Sequence, residues 1–92
     1  MKIHYLKTWR TWFIATWDGN KTFEVRINDR GYELNDVLVL EEYDPGEKVY
    51  TGRVLLRQVD YMMQGVFGLP PDVCVMSIKP YEARIQDLCV MV

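Results

Sequence analysis

Residues 23–28 alternate strictly between apolar and polar side chains. A two-residue repeat is typical of a β-strand, because successive side chains of a strand point to opposite faces. The pattern predicts a strand whose apolar face, formed by Phe23, Val25 and Ile27, is buried. The opposite, polar face of this strand carries Glu24, Arg26 and Asn28.

A second pattern, between Thr8 and Asp18, places large apolar residues three or four positions apart. These residues are Trp9, Trp12, Phe13 and Trp17, with the small Ala15 among them. The spacing predicts a short amphipathic helix that has Thr8 as its N-cap and ends at Asp18-Gly19-Asn20. We expect the tryptophans to lie in the core; in the alternative, Trp9 or Trp12 forms a platform for a stacked base.

The rest of the chain has the pattern of strands joined by turns. An apolar run at 37–40 predicts a deeply buried strand, and Asp44-Pro45-Gly46 predicts a hairpin turn to another strand at 49–61. Residues 64–72 predict a loop and 73–78 a last core strand, whereas 81–92 fit a helix or a strand equally. We therefore predict one α+β domain, residues 1–92, whose sheet curls into a partial barrel.

The charge of the chain limits the ligands that it is expected to bind. Its 92 residues carry a formal net charge of -2. Domains that hold a long nucleic acid by bulk charge are usually strongly basic. Any nucleic-acid contact is therefore expected to be local, to a short or flipped-out target.

The cysteines and the apolar stretches indicate the compartment. Cys74 and Cys89 accompany no secretory signal, so we expect reduced thiols rather than a disulfide. No stretch approaches the roughly 20 apolar residues that cross a bilayer. We expect a cytoplasmic protein without membrane contact.

Common signatures of cofactor and metal chemistry are missing from the sequence. It has no Gly-x-Gly-x-x-Gly motif, no P-loop and no Cys-x-x-Cys, and His4 is its single histidine. Neither Ser77 nor the cysteines stand in a recognisable nucleophile context. We expect neither a metal nor a cofactor.

Four segments resemble a known family. They are His4-Tyr5-Leu6-Lys7, residues 19–30, residues 36–44 and Tyr50-Thr51-Gly52-Arg53. In these segments, above all in the Gly-x-Lys-Thr-x-Glu-x-Arg run that begins at Gly19, the sequence resembles a small phage and bacterial family of unknown function. That family is related to the ASCH domains of the PUA-like superfamily. The resemblance covers residues 3 to about 79, which leaves 80–92 as a C-terminal extension.

The resemblance implies a PUA-like pseudo-barrel with a cleft lined by the polar face of the strand at 23–28. PUA-like relatives mostly bind RNA or modified bases, and some small ASCH proteins are amidohydrolases that act on acylated cytidines. In those hydrolases the lysine of Gly-x-Lys-Thr activates a threonine three positions later. Lys21 matches that lysine, but Glu24 stands at the threonine position, so the nucleophile is missing.

The resemblance and the density of polar groups together predict a binding cleft for RNA or a nucleotide-like ligand. A carboxylate accepts a hydrogen bond from an exocyclic amine, and arginine grips a carbonyl or a phosphate. The residues that we expect to bind the ligand are His4, Lys7, Lys21, Glu24, Arg26, Asn28, Asp29 and Arg30.

Three alternatives remain open at this point. Glu24 and Arg26 would be unremarkable if they formed solvated surface salt bridges, each worth roughly 0 to 1 kcal/mol. The domain would be a nucleoside hydrolase if Lys21 acted as the base and Glu24 polarised a water. It would be a phage-type inhibitor of a host factor if its aromatic surface bound another protein.

Overall fold

Five strands and one short helix form residues 1–82, the part of the chain described by this computed structural model. In chain order they are β1 (Ile3–Trp9), α1 (Arg10–Trp17), β2 (Phe23–Ile27), β3 (Val37–Asp44), β4 (Val49–Gln64) and β5 (Val73–Pro80). The predicted alternatives for 81–92, and Cys89, fall almost wholly outside the described residues.

All five strands belong to one sheet with the order β1-β3-β4-β5-β2. β1 pairs with β3 in parallel, and the other three pairs are antiparallel. The long β4 pairs with β3 through its first part and with β5 through its second, and its register shifts between Val59 and Tyr61. Such irregularities bend a strand and increase its twist. The sheet curls into a half-barrel, which confirms the α+β class and the partial barrel.

The hydrophobic core fills the inside of this curl. It consists of Leu6, Phe13, Tyr32, Leu38, Leu40, Val59, Cys74, Met76 and Ile78. α1 contacts β3 and β1 and contributes the fully buried Phe13. Cys74 is a buried free thiol. No helix within residues 1–82 is long and apolar enough to span a bilayer.

The strands and turns of the second half of the chain are confirmed. Residues 37–40 are buried in β3, and β3 and β4 form the antiparallel hairpin around Asp44-Pro45-Gly46. Residues 65–72 connect β4 to β5, as expected of a segment rich in glycine and proline, but β4 continues past the predicted end at residue 61 and includes Gln64, which was predicted in the loop.

The start of the chain differs from its prediction. Residues 3–9 form β1, which the sequence analysis missed, because the inward residues His4, Leu6 and Thr8 include two polar ones and hide the alternation. The prediction of Thr8 as an N-cap was wrong. Thr8 lies in the strand and its hydroxyl donates to the Leu6 carbonyl at 3.1 Å, whereas Trp9 occupies the N-cap position without a capping side chain.

The predicted burial of the β2 faces was also wrong. Glu24 is 3% exposed, whereas Phe23, Val25 and Ile27 are 44, 49 and 59% exposed. Glu24 pairs with Met76 of β5, and Arg26 pairs with Cys74. Because directly paired residues share a face of the sheet, the two charged side chains point inward beside these buried partners. The alternation was read correctly, but the two faces were exchanged.

Residues 28–36, which join β2 to β3, are fixed by a buried carboxylate. Asp36 Oδ2 accepts from His4 Nε2 at 2.8 Å and from the Glu33 N–H at 3.0 Å, and Oδ1 accepts from the Lys2 N–H at 2.9 Å. Burial alone would raise the Asp36 pKa, but these hydrogen bonds outweigh it and lower the pKa below its ordinary value. His4 also packs edge-on against Tyr32.

Candidate functional site

A cleft of about 710 Å³ opens beside the junction of β1 with α1 and the edge strand β2. β1 and β2 are the two ends of the sheet order, so the cleft lies at the open side of the half-barrel. Its lining consists of Lys7, Thr8, Trp9, Trp12, Ala15, Asn20, Lys21, Phe23, Glu24, Val25 and Arg26. Sites for small molecules typically have volumes of roughly 300 to 1,000 Å³.

The polar part of the cleft is a carboxylate held between two cations. Glu24 Oε1 accepts from Lys21 Nζ at 2.8 Å, and Glu24 Oε2 accepts from Arg26 Nε at 3.0 Å. The carboxylate is buried, whereas the side chains of Lys21 and Arg26 are only partly so. These are not solvated surface salt bridges, and we call the three residues the charged triad.

The C-terminal end of α1 determines the position of the Lys21 backbone. The Gly19 N–H donates to the Thr16 carbonyl, and the Asn20 N–H donates to the Ala15 carbonyl, as in a Schellman motif. Gly19 has a φ of +80°, a left-handed conformation that glycine adopts without strain. The Lys21 N–H also donates to the Ala15 carbonyl, at 2.9 Å. The backbone of Lys21 is therefore fixed directly to the helix.

Arg26 connects β2 to β1 across the opening. Its Nη2 lies 3.2 Å from the Lys7 carbonyl oxygen and 3.3 Å from Thr8 Oγ1. Among the described strands β1 is at an end of the sheet, and Arg26 satisfies a backbone carbonyl that none of these strands covers on this side.

The charged triad retains hydrogen-bonding capacity for a ligand. Lys21 donates to Glu24 and to the Phe23 carbonyl, which uses two of the three donors of an ammonium. Within residues 1–82, Arg26 Nη1 makes no hydrogen bond. Each Glu24 oxygen accepts one hydrogen bond from the triad and can accept a second. The cleft thus offers donors and an acceptor side by side.

Aromatic rings line the apolar part of the cleft. Trp9 and Trp12 are each 54% exposed, so the prediction that they lie in the core was wrong. Trp17, on the same helix as Trp12 but outside the cleft lining, is also half exposed. The short helix buries only Phe13 and Thr16, which leaves its tryptophans to the surface.

A second, smaller pocket of about 270 Å³ follows along β2. Its lining consists of Leu6, Val25, Arg26, Ile27, Asp29, Arg30 and Tyr32. Val25 and Arg26 belong to both linings. Arg30 Nη1 donates to the Tyr5 carbonyl of β1 at 2.7 Å.

The structure separates the predicted ligand residues into three groups. Lys7, Lys21, Glu24 and Arg26 line the larger cleft, and Asp29 and Arg30 line the smaller pocket. Asn28 holds the connection to β3: its side-chain amide donates to Gln64 at 2.8 Å and accepts from the Tyr32 N–H at 2.9 Å. His4 is buried against Asp36 and lines neither cavity.

Sequence reasoning missed Thr8 and Asn20 as cleft residues. Thr8 was assigned to a helix cap and Asn20 to a stop signal, and both roles hid their position at the opening. Their positions just before and just after a helix of only eight residues could have indicated that they lie close together. Both ends of so short a helix lie near one another, since eight residues rise by only about 12 Å.

Another buried carboxylate, Glu42, anchors β4 beside α1. Arg53 donates to both of its oxygens at 2.8 Å, Thr51 donates to Oε1, and Arg10 lies 3.9 Å away. The Arg53 guanidinium also faces the rings of Phe13 and Trp17, at 5.4 and 5.1 Å from their centroids. The hydrogen bonds from Arg53 lower the Glu42 pKa to about 2, against the opposing effect of burial.

Within residues 1–82, no three His, Cys, Asp or Glu side chains are grouped so as to hold a metal ion.

The fold and the cleft together define a small α+β half-barrel domain with a charged, aromatic-lined cavity at its open edge. The chain belongs to the family described as "Domain of unknown function (DUF3850)", which matches residues 3–78.

One relative of this chain comes from a bacteriophage. The chain is 42% identical over 52 residues to the "uncharacterized 12.9 kDa protein in GpA 3' region" of Escherichia phage P2. The aligned segment covers 56% of this chain and 46% of the phage protein. The chain thus matches less than half the length of that relative.

Proposed function

We propose that the cleft binds the base of a nucleotide-like ligand, either a free one or a flipped-out residue of a short RNA. The observation that carries this proposal is that one cavity combines the charged triad with the half-exposed rings of Trp9 and Trp12. Unstacked bases are commonly recognised by aromatic stacking together with hydrogen bonds to the base edge.

Each part of the cleft then has a chemical role. Glu24 accepts a hydrogen bond from an exocyclic amine of the base, while Lys21 and Arg26 donate to its carbonyl oxygen or ring nitrogen. Because the carboxylate is already held by two cations, little ordering remains to be done when the ligand binds. The rings of Trp9 and Trp12 can stack on the flat face of any base, whichever base the ligand carries.

The proposal includes a relationship to the ASCH domains of the PUA-like superfamily. The half-barrel and the Gly19-Asn20-Lys21-Thr22 segment at the mouth of the cleft support it. Binding of RNA or modified bases is the prevailing role of those relatives. The net charge of -2 favours a short target, since few phosphates are neutralised.

One observation favours a second function, hydrolysis of an acylated nucleoside. Glu24 is buried, as a carboxylate that polarises a water in a dry site would be. Against this, Lys21 Nζ already donates hydrogen bonds to Glu24 and to the Phe23 carbonyl, whereas a general base must accept a proton from the water or the substrate. Binding without turnover is therefore the better-supported function.

A thermal-shift screen with product analysis tests the proposal. Nucleosides, acylated cytidines, nucleotides and short RNAs are added to the wild-type protein and to the Lys21→Ala and Glu24→Ala variants. A shift that both variants lose, with the ligand recovered intact, supports binding. Consumption of the ligand by wild type alone identifies a hydrolase. If no compound shifts the wild type, the cleft proposal fails and a protein partner for the exposed aromatic residues becomes the better explanation.

A further inference from the structure

The two cavities form one continuous binding surface along β2. Arg26 and Val25 line both of them, and Arg26 is anchored on its two sides by Glu24 and by β1. Side chains on one face of a strand repeat about every 6.6 Å, two residues apart. A ligand with its base beside Glu24 would place its next chemical group near Arg26, which lines both cavities.

Arg30 lies at the second pocket and has N–H donors that make no hydrogen bond within residues 1–82. Its Nη1 donates to the Tyr5 carbonyl, and within residues 1–82 this is its only hydrogen bond. A guanidinium has five N–H donors in a planar fork, which matches the oxygens of a phosphate. The connection that carries Arg30 is fixed by Asn28 and Asp36, which holds its backbone in place beside the pocket.

The surroundings of Tyr32 show how close both arginines are to this pocket. Burial raises the Tyr32 pKa, and the positive charges of Arg26 and Arg30 oppose that rise. The acidic neighbour is Asp29, whose Oδ1 lies 3.9 Å from Arg30 Nε and whose side chain is mostly exposed. A solvated pair at this distance is weak and leaves the arginine available.

The balance of charge distinguishes the two cavities from the rest of the molecule. Their combined lining contains four cationic residues and two acidic ones, a formal charge of +2 in a chain whose net charge is -2. The cations are Lys7, Lys21, Arg26 and Arg30. A positive cavity concentrates an anionic ligand locally, even in a protein whose net charge is negative.

We propose that the pocket of Arg30, Arg26 and Tyr32 binds a phosphate of the nucleotide whose base lies in the larger cleft. This inference rests on the proposed function and makes it narrower: the ligand is a phosphorylated nucleotide, not a nucleoside. Arg30 supplies the charge and the hydrogen bonds that select the phosphate.

Calorimetric titration of the four common ribonucleosides and of their monophosphates tests this inference. For the base that binds, we expect the monophosphate to bind about 10- to 100-fold more tightly than the nucleoside, as charge-assisted hydrogen bonds would give. Arg30→Gln should remove that difference by weakening the binding of the monophosphate. Lys79→Gln removes the same charge from a residue that lines neither cavity and should leave the difference intact.

A second variant keeps the test decisive if Arg30→Gln alters the fold. Asp29→Asn removes the competing carboxylate and should tighten the monophosphate but not the nucleoside. A dinucleoside monophosphate is the third ligand. If it also binds more tightly than the nucleoside, and if Arg30→Gln removes that difference, the phosphate that is recognised can lie within an RNA chain.

Distinct outcomes overturn the inference and the proposed function. If nucleoside and monophosphate bind wild type equally, or if the difference survives Arg30→Gln, the phosphate pocket is refuted while the base cleft stands. If no nucleoside, monophosphate or dinucleotide binds, the proposed function fails and this inference fails with it.

Discussion

The ammonium of Lys21 lies 2.8 Å from Oε1 of Glu24, a carboxylate that β2 turns into the half-barrel rather than toward solvent. Burying a carboxylate is costly unless it is paired and hydrogen-bonded. Glu24 is held on its other oxygen by Arg26, and the three side chains border an open cavity. The arrangement is built around a site rather than around the core alone.

Replacing Glu24 by glutamine should weaken both ligand binding and the fold. The amide removes the charge that pairs with Lys21 and Arg26, and its NH2 group presents donors to one of the two cations, which needs an acceptor. We expect the free energy of unfolding to fall by about 1 to 3 kcal/mol, measured by urea titration. Glu33→Gln, at an exposed carboxylate, is the matched control and should change it by less than about 0.5 kcal/mol. Equal effects of the two variants would contradict the role of Glu24.

Truncating the cleft tryptophans should affect the ligand more than the fold. Trp9→Ala or Trp12→Ala should each weaken base binding by about 1 to 3 kcal/mol, the range for loss of one stacked ring. Trp17→Ala is the control, because Trp17 is about as exposed as Trp12 and lies on the same helix as Trp12, but outside the cleft lining. Calorimetric titration measures the affinities. If Trp17→Ala weakens binding as much as Trp9→Ala, the ligand does not lie in this cleft.

Replacing Asp36 by alanine should destabilise the protein without a specific effect on the ligand. The variant leaves His4 and two backbone N–H groups without their acceptor. Each lost partner of a buried polar group costs about 1 to 3 kcal/mol. Thermal unfolding measures the loss, and titration of the folded fraction measures the affinity. If the Asp36→Ala variant or a His4→Gln variant folds but binds the ligand much more weakly, His4 contributes to the binding site and this account of it is contradicted.

The Glu42–Arg53 pair should make stability fall in acid. The pKa of Glu42 in the folded protein, about 2, lies below the ordinary 4.5. The contribution of the pair to the free energy of unfolding is therefore complete above pH 4.5 and is lost as the pH falls through about 2. The difference in unfolding free energy between wild type and Glu42→Gln, from urea titrations across this window, should shrink steadily. Glu41→Gln controls for the loss of one negative charge. A difference that stays constant down to about pH 2 would contradict the assigned pKa.

The alternation at 23–28 shows what the sequence could and could not predict. It identified β2 correctly, because strand periodicity depends only on the pleat of the backbone. It did not identify the buried face, since the rule that apolar residues are buried assumes a strand with one face on the core. β2 is an edge strand beside a cleft, and its inward residues serve the cavity.

The site could be predicted in part for a related reason. Lys21, Glu24 and Arg26 are close in sequence on one turn and one strand, so they were found together. Trp9 and Thr8 join them only because the sheet curls and brings its two end strands, β1 and β2, close together, a contact between distant segments that local patterns do not carry. His4 was grouped with the site because it is near Lys7 in sequence, but His4 points inward to Asp36.

The most direct test uses the indole N–H signals of the protein in a proton–nitrogen NMR titration. The chain has three tryptophans, and each gives one signal, which substitution by phenylalanine assigns. With a nucleotide as ligand, we predict that the signals of Trp9 and Trp12 shift progressively to saturation while that of Trp17 stays unchanged. Shifts confined to Trp17, or no indole shift with a nucleotide that binds by calorimetry, would contradict a base-binding cleft between β1 and β2.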